Sequence, residues 1–460
     1  MSRLLTIFLL LPFAGMAQDT LKVEEIDFLR QLLRYHPQLG IRTMDVGIAE
    51  AEAMGARAAF DPNLKGEYAS KTFNGTSYYD YRDAALEWQL QPGINLKAGY
   101  DRSIGTYINP ETFTPEVGLA FAELSVPLVD GFFRTPDQTR LRQARISADR
   151  SVRTLENAQR DMVLFGAEVY WNWVAASRAL QLRKDIVALA IERYNQTVGQ
   201  YQLGVFTAMD TLEAHNQYVK RQTEYTEALM DFQEWYRLAG TLIWENDMFD
   251  QFTGGAEPDT SWQSAADLHI SRALSNDLTW LHPSVEMLEL KRREARLDLL
   301  LAREQLKPDV NLSLKAISRA DQLSLAGNNS VIGLSAKVPI LSRKERANIR
   351  KAQFKLDQAD LYVDMKLRDL MQKRMMLESQ VLQVNDLSRL ARENASNAGE
   401  LLFMEGTKLR LGESTLFIIN RRENTYLDAA IKEIDVMRKK RILEWKMILL
   451  TYNPQGIIEN

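Results

Sequence analysis

The residues able to do chemistry in this 460-residue chain are few and scattered. Histidine occurs at positions 36, 215, 269 and 282 alone, and cysteine is absent. A metal centre needs several such ligands at short, defined spacings, and none of the four histidines has a second ligand at such a spacing. The chain also has no Gly-rich Lys-Ser/Thr phosphate loop, no Gly-x-Ser-x-Gly elbow and no nucleophilic thiol. Its acidic residues are numerous but interleaved with bases, the pattern of solvated helix faces. The expectation is a protein that is not an enzyme and carries no metal or cofactor. His36-Pro37 and His282-Pro283 read as helix starts, with proline at the first helical position and the histidine capping or packing.

That pair also discloses the chain's organisation. His36-Pro37 and Pro62 recur 246 positions on, as His282-Pro283 and Pro308. Leu141, Arg142 and Ala144 recur 208 positions on, as Ile349, Arg350 and Ala352, and so do Leu203-Gly204, Asn216 and Tyr218, as Leu411-Gly412, Asn424 and Tyr426. Constant offsets over such distances mean elements of equal length, hence a duplicated unit. The offset shortens between Pro62 and Ala144, so the first copy carries extra residues there. The reading is a first repeat over 18–253, a linker over 254–262 that opens Gly254-Gly255-Ala256-Glu257-Pro258-Asp259, and a second repeat over 263–460.

The elements follow from periodicity. Residues 24–35 and 38–60 read as helices, the second ending before Asp61-Pro62. Period-two alternation then appears in Leu64, Gly66 and Tyr68, in Leu86, Trp88 and Leu90, in Ile94, Leu96, Ala98 and Tyr100, and in Ala120, Ala122, Leu124 and Val126. It returns in Val310, Leu312, Leu314 and Ala316 and in Ile332, Leu334, Ala336 and Val338. These are strands with one polar side, at about 62–128 and 308–340. Asn74-Gly75 and Gln91-Pro92-Gly93 read as hairpin turns. From Asp137 to Gln200 there is no proline and little glycine, and apolar residues step by threes and fours. A helix of that length reaches on the order of 100 Å, beyond any globular core, so a coiled rod is expected. Leu203-Gly204 turns the chain and a second helix runs back to about Glu245. The second copy repeats this hairpin over 343–410 and 413–452, with its tip at Leu411-Gly412.

Net charge is −4, with 57 basic and 61 acidic residues, so no global field calls for nucleic acid. Arg3, the apolar run Leu4 to Phe13 and the small residues Ala14-Gly15-Met16-Ala17 predict a secretory signal peptide over 1–17. The apolar run falls short of the roughly 20 residues of a membrane helix. Without cysteine there are no disulfides, and no lipid can be attached at the cleavage point. An exported chain without an apolar helix enters a membrane only as a β-barrel. A few strands per copy cannot close a barrel alone, so several subunits would have to contribute. The aromatic residues Tyr78, Tyr79, Tyr81, Trp88, Tyr100, Tyr107, Phe113 and Phe121 crowd the first strand region and read as an interfacial girdle. Arg438-Lys439-Lys440-Arg441 reads as a solvated basic face.

In this order and twice over, the marks resemble the TolC family of outer membrane efflux proteins. They stand here as His36-Pro37-Gln38-Leu39 and His282-Pro283-Ser284-Val285, as Asp61-Pro62-Asn63-Leu64 and Lys307-Pro308-Asp309-Val310, as Val126-Pro127-Leu128 and Val338-Pro339-Ile340, and as the tips Tyr201-Gln202-Leu203-Gly204 and Leu409-Arg410-Leu411-Gly412. The resemblance implies a mainly α fold with β structure, in which long antiparallel coiled-coil hairpins join a trimeric outer-membrane β-barrel and the whole has an internal two-fold repeat. It implies a homotrimer in outer membrane lipid, extending into the periplasm, with a mixed collar built partly from the linker and the chain ends. Its partners would be a periplasmic adaptor (membrane fusion) protein and an inner-membrane pump. Adaptor docking falls to the tips, at Leu203, Gly204, Leu411 and Gly412.

The family's pore gate carries acids just beyond the second tip, where this chain has Ile418 and Arg421. The first copy has Asp210 and Glu213 at the equivalent places. All four are gate candidates. Four strands per subunit are expected at the core, with the Leu86 to Tyr100 pair either extending the barrel or forming an external loop. The leading expectation is a passive conduit in a tripartite efflux or export system. Its rival is a soluble periplasmic coiled-coil adaptor or structural protein, and an adhesive barrel would need long loops at 74–82 and 102–116.

Overall fold

A computed structural model describes residues 21–91, 93–129, 134–245, 248–249, 255–275, 282–322, 329–452 and 454–458. The expected signal peptide, Pro92 of the second turn and Gly254 of the linker lie outside the described residues. In chain order the elements are β1 (Leu21–Val23), α1 (Glu25–Tyr35), α2 (Pro37–Arg57), β2 (Asn63–Phe73), β3 (Thr76–Leu90), β4 (Ile94–Ile104), β5 (Leu119–Pro127), α3 (Pro136–Gln202) and α4 (Ala208–Leu242). Then come β6 (Trp244–Glu245), β7 (Met248–Phe249), β8 (Ala256–Pro258), α5 (Ala266–Ser275), α6 (Pro283–Glu304), β9 (Asp309–Arg319), β10 (Ser330–Lys337), α7 (Arg343–Arg410), α8 (Leu416–Thr451) and α9 (Gln455–Ile458). They fall into two compact units. One is made of 1–40, 158–280 and 371–460, the other of 41–157 and 281–370.

The second unit holds a fully antiparallel sheet in the order β10-β9-β5-β4-β3-β2. β3 and β4, the residues extra to the first copy, are neither loop nor appendage: they lie inside the sheet between β2 and β5. The turn joining β2 to β3 is the expected Asn-Gly turn, with φ of 48° at Asn74 and 77° at Gly75, the mirror-image geometry that matches strand twist. The helices α2, α3, α6 and α7 all join the sheet at the opposite end from this turn. Both histidines cap as expected: Gln38 N donates to His36 Nδ1 at 3.3 Å and Ser284 N to His282 Nδ1 at 3.2 Å. α3 starts on a reciprocal cap, Gln138 N to Thr135 Oγ1 at 3.1 Å and Thr135 N to Gln138 Oε1 at 3.3 Å, with Pro136 between.

The first unit is helical around an aromatic core. Phe28, Leu29 and Leu32 of α1 are fully buried, as are Trp171 and Trp173 of α3 and Trp445 of α8. Gly166 makes the close approach possible, because a Cβ there would lie 2.4 Å from the Leu32 side chain. β1 pairs in parallel with β8, Leu21 opposite Ala256 and Val23 opposite Pro258, so the segment just before α1 and part of the expected linker form a small sheet. At the centre sits Glu25, a buried carboxylate. Trp171 and Trp445 each donate an indole N–H to its Oε1 at 2.6 Å, while Ser264 Oγ at 2.7 Å and Ala265 N at 3.0 Å donate to Oε2. Burial pushes its pKa above the ordinary carboxylate value, and these four donors oppose that rise.

The basic run departs from the expectation. Arg441 is buried, paired with Asp267 and, at 2.8 Å, with Glu444, and its guanidinium lies 5.7 Å from the Trp171 ring centre. Arg438 donates to Asn172 at 2.8 Å. Only part of the run is a solvated face, because α8 turns one side of it into the core.

Candidate functional site

The sheet presents two unlike faces, and the register assigns each residue to one. Directly paired residues share a face. One face carries Leu64, Leu86, Ala98, Ala122 and Ala316, with Trp88, Leu96, Leu124, Leu314 and Ile332 in the next row. Its outermost side chains are open to solvent in a single chain: Leu64 is 80 % exposed and Ile332 72 %. A soluble sheet buries such a face; here nothing among the described residues covers it. At the helix end Trp88 donates its indole N–H to the Phe60 carbonyl at 3.1 Å. At the turn end the face finishes in Tyr68, Tyr100 and the cluster Arg82–Asp80–Arg102, with ion pairs of 3.1 and 3.2 Å.

The other face is polar. Glu87, Lys97, Glu123 and Lys315 stand directly opposite one another on β3, β4, β5 and β9, alternating in sign across four strands. Lys97 pairs with Glu87 at 3.3 Å, and Lys65 of β2 pairs with the same carboxylate. Phe121, expected in the aromatic girdle, instead lies on this face, only 5 % exposed, with Lys315 Nζ 4.1 Å from its ring centre. Tyr79 and Tyr81 share the polar face as well. Strand parity decides the matter, and clustering in sequence does not report it.

In the helical unit the two hairpin tips are built alike. Val205 N donates to Gln200 O at 2.9 Å and Gly204 N to Tyr201 O at 3.0 Å; Glu413 N donates to Lys408 O at 2.9 Å and Gly412 N to Leu409 O at 3.1 Å. With φ of 78° at Gly204 and 77° at Gly412, both are helix ends closed by a left-handed residue, a conformation glycine adopts without a Cβ clash. Leu203, Val205 and Leu411 stand exposed around them.

The following helices start differently. Thr207 and Asp210 form a reciprocal cap: Asp210 N to Thr207 Oγ1 at 3.3 Å, Thr207 N to Asp210 Oδ2 at 2.7 Å. The Thr207 backbone bond holds the Asp210 carboxyl below the usual range. Glu213 is exposed. In the second copy Thr415 makes no side-chain cap, Ile418 stands where Asp210 does, and Ile418 and Arg421 are exposed. No hydrogen bond or ion pair is seen that joins the four gate candidates to one another.

What lies beside them was not anticipated. Glu423, fully buried, takes Arg193 Nη2 and Arg221 Nε at 2.7 Å each. Arg221 also donates to Asn424 at 2.7 Å and Arg193 to Asn420 at 3.0 Å. Two arginines of the first hairpin therefore grip one acid of the second. The available signal was an asymmetry of the duplication, since the position equivalent to Glu423 is His215.

Residues 28–235 match the sequence profile of the family described as Outer membrane efflux protein. No curated protein matches the chain by sequence. Among solved structures it is similar to the Campylobacter jejuni CmeC outer membrane channel, at 14 % identity and a TM-score of 0.63, over 92 % of this chain and 85 % of that one. It is similar to the Vibrio cholerae outer membrane protein VceC, at 12 % identity and 0.65, over 94 % and 95 % of the two chains. A third is the open state of the Neisseria gonorrhoeae MtrE outer membrane channel, at 14 % and 0.63, over 93 % and 88 %. Those likenesses give the fold. Over residues 28–235 the chain is similar to the outer membrane efflux protein family.

Proposed function

We propose that this outer-membrane efflux channel works as a passive exit duct made of three copies, its strands in the outer membrane and its hairpins in the periplasm. The observation that carries the reading is the two-faced sheet. Its bare apolar face suits lipid, and its charged, self-paired opposite face suits a water-filled lumen. Conduction through such a lumen needs no bond chemistry, so the absence of an enzyme's constellation from the sequence is no obstacle. The same bare apolar face speaks against a soluble adaptor.

The tips supply the rest of the proposal. Exposed Leu203 and Leu411 beside rigid glycine turns form the surface for a periplasmic adaptor, which links the duct to an inner-membrane pump. Asp210, Glu213, Ile418 and Arg421 lie within the first two turns beyond those tips and form the gate, which opens when the hairpins shift. The test is the purified chain in planar bilayers. A trimer extracted only by detergent, with a small resting conductance that rises in Arg421→Ala or Asp210→Ala, is the expected outcome. A protein soluble without detergent that inserts no conductance overturns the duct, and unchanged conductance in both variants removes those residues from the gate.

A further inference from the structure

The strand count sets the bore of the duct. From the sheet's order, its register and its two bare edges, we infer that three copies close into a single barrel of eighteen strands, in which β10 of each copy pairs with β2 of the next. This rests on the three-copy reading above and adds to it the edge partner, the register and the width.

The edges are the sheet's exposed strands. Every residue of β2 except Ala69 is exposed, and so is every residue of β10 except Gly333. β2 leaves the helix end and β10 returns to it, so one copy's β10 meets the next copy's β2 antiparallel, as a closed barrel requires. A bare edge is also a liability that closure alone removes.

The register adds a quantitative check. Following paired residues across the sheet leads from Asn63 on β2 through Glu87, Lys97, Glu123 and Lys315 to Val331 on β10. β10 continues six residues beyond that, to Lys337 at the helix end where β2 begins. A stagger of six residues over six strands, at about 3.3 Å per residue and 4.8 Å per strand, is a tilt of roughly 35°. That is the tilt of closed barrels. Levelling the helix ends therefore sets Lys337 opposite Asn63 of the next copy and Ser335 opposite Lys65 of the next copy. The stagger is even, so polar faces polar across the seam and apolar faces apolar. An odd value would have turned one copy inside out.

β3 and β4 are full members of this wall. They pair with each other over eleven consecutive positions, and β4 pairs with β5 over seven; they carry both faces, Trp88 and Leu96 on one and Glu87 and Lys97 on the other. At the same tilt, eighteen strands enclose a cylinder about 34 Å across, against about 23 Å for the twelve that would remain without them. The cross-section roughly doubles. Porin-sized counts leave an aqueous channel, so the eighteen-stranded wall has room for a water-filled lumen.

The test is direct imaging of the full-length chain in lipid nanodiscs, with the seam checked by disulfide formation, which the absence of native cysteine makes clean. Eighteen strands in a three-fold barrel are expected, together with oxidised dimers and trimers from Lys65→Cys/Ser335→Cys but not from the control Asn95→Cys/Ser335→Cys. A three-fold barrel of twelve strands with 76–104 outside the wall overturns this inference and leaves the duct standing. The absence of any trimer overturns the duct as well.

Discussion

The two hairpins end on the same turn and begin again on different terms. Gly204 and Gly412 have φ values within a degree of each other and the same pair of backbone bonds. Past the turn, the first copy spends its acid locally: Asp210 closes a cap on Thr207. The second copy has no such cap, and its nearby acid, Glu423, is spent on Arg193 and Arg221 of the first hairpin. A tip needs a reversal of direction, which duplication can copy unchanged. The helix that follows needs anchoring, which can come from its own first turn or from its neighbour. The first hairpin is self-contained at this point, and the second is held by the first.

The comparison is most exposed at Glu423. Replacing it with alanine takes the shared carboxylate from two guanidinium groups and leaves Arg221, only 2 % exposed, with Glu224 and Asn424; breaking such a buried pair costs about 3–5 kcal/mol. Thermal unfolding of the purified protein should show this as the largest loss among single changes near the tips. Replacing Glu423 and Arg221 together with methionine should recover only part of it, because the most buried cation is then gone while Arg193 still lacks the carboxylate and Glu224 lacks Arg221. If Glu423→Ala costs no more than loss of the Thr207 cap, the second hairpin is not held by the first in the way described.

Glu25 shows the same dependence on buried donors, without a cation. All four of its partners donate, so glutamine, although nearly isosteric, turns an N–H₂ group toward two donors. Glu25→Gln should cost about 1–3 kcal/mol. The pH dependence has a definite sign. The folded pKa lies above the ordinary 4.5, so between those two values the folded chain holds a proton that the unfolded chain has lost. This group's contribution therefore declines as pH rises through that window, and the variant should lose that part of the slope in melting curves recorded from pH 4.5 upward.

Much of this was legible in the sequence, for reasons that can be stated. The long helices were readable because α3 beyond Pro136 and the whole of α7 are free of proline and their apolar steps persist, and the tips because glycine at a positive φ punctuates a helix visibly. The strands were readable from period two. What escaped was whatever depends on partners distant in the chain. Phe121 lies in an aromatic-rich stretch, but its face is set by pairing with Gly99 and Ile317. The Leu86 to Tyr100 pair could extend the sheet or leave it, and only its pairing with β2 and β5 shows that it lies inside the sheet. Arg441 looked like one of four surface bases until α8 turned it toward Asp267. Glu423 sat two residues from a gate candidate singled out on family grounds, and its significance lies in two arginines about two hundred residues away.

Smaller changes sharpen the contrast between the copies. Thr207→Ala removes a working cap and should cost about 1 kcal/mol, whereas Thr415→Ala, where no side-chain cap is formed, should cost almost nothing. Acidification separates them too. The cap on Thr207 needs an ionised Asp210, whose pKa is depressed. Its contribution is complete above the ordinary carboxylate value and disappears as pH falls through the depressed one, so amide exchange in the first turn of α4 should quicken at low pH and that of α8 should not. The finest test runs in the opposite direction. Ile418→Asp places an acid in the first turn of α8, three residues after Thr415, where it can accept from the Thr415 backbone N–H and face the positive end of the helix. A gain of about 0.5 kcal/mol is expected, read as slower exchange over 415–419. If the tip tightens and bilayer conductance does not change, helix anchoring and gating are separate tasks of the same short segment. If conductance changes in step with exchange, the missing cap of the second copy is itself part of how the duct opens.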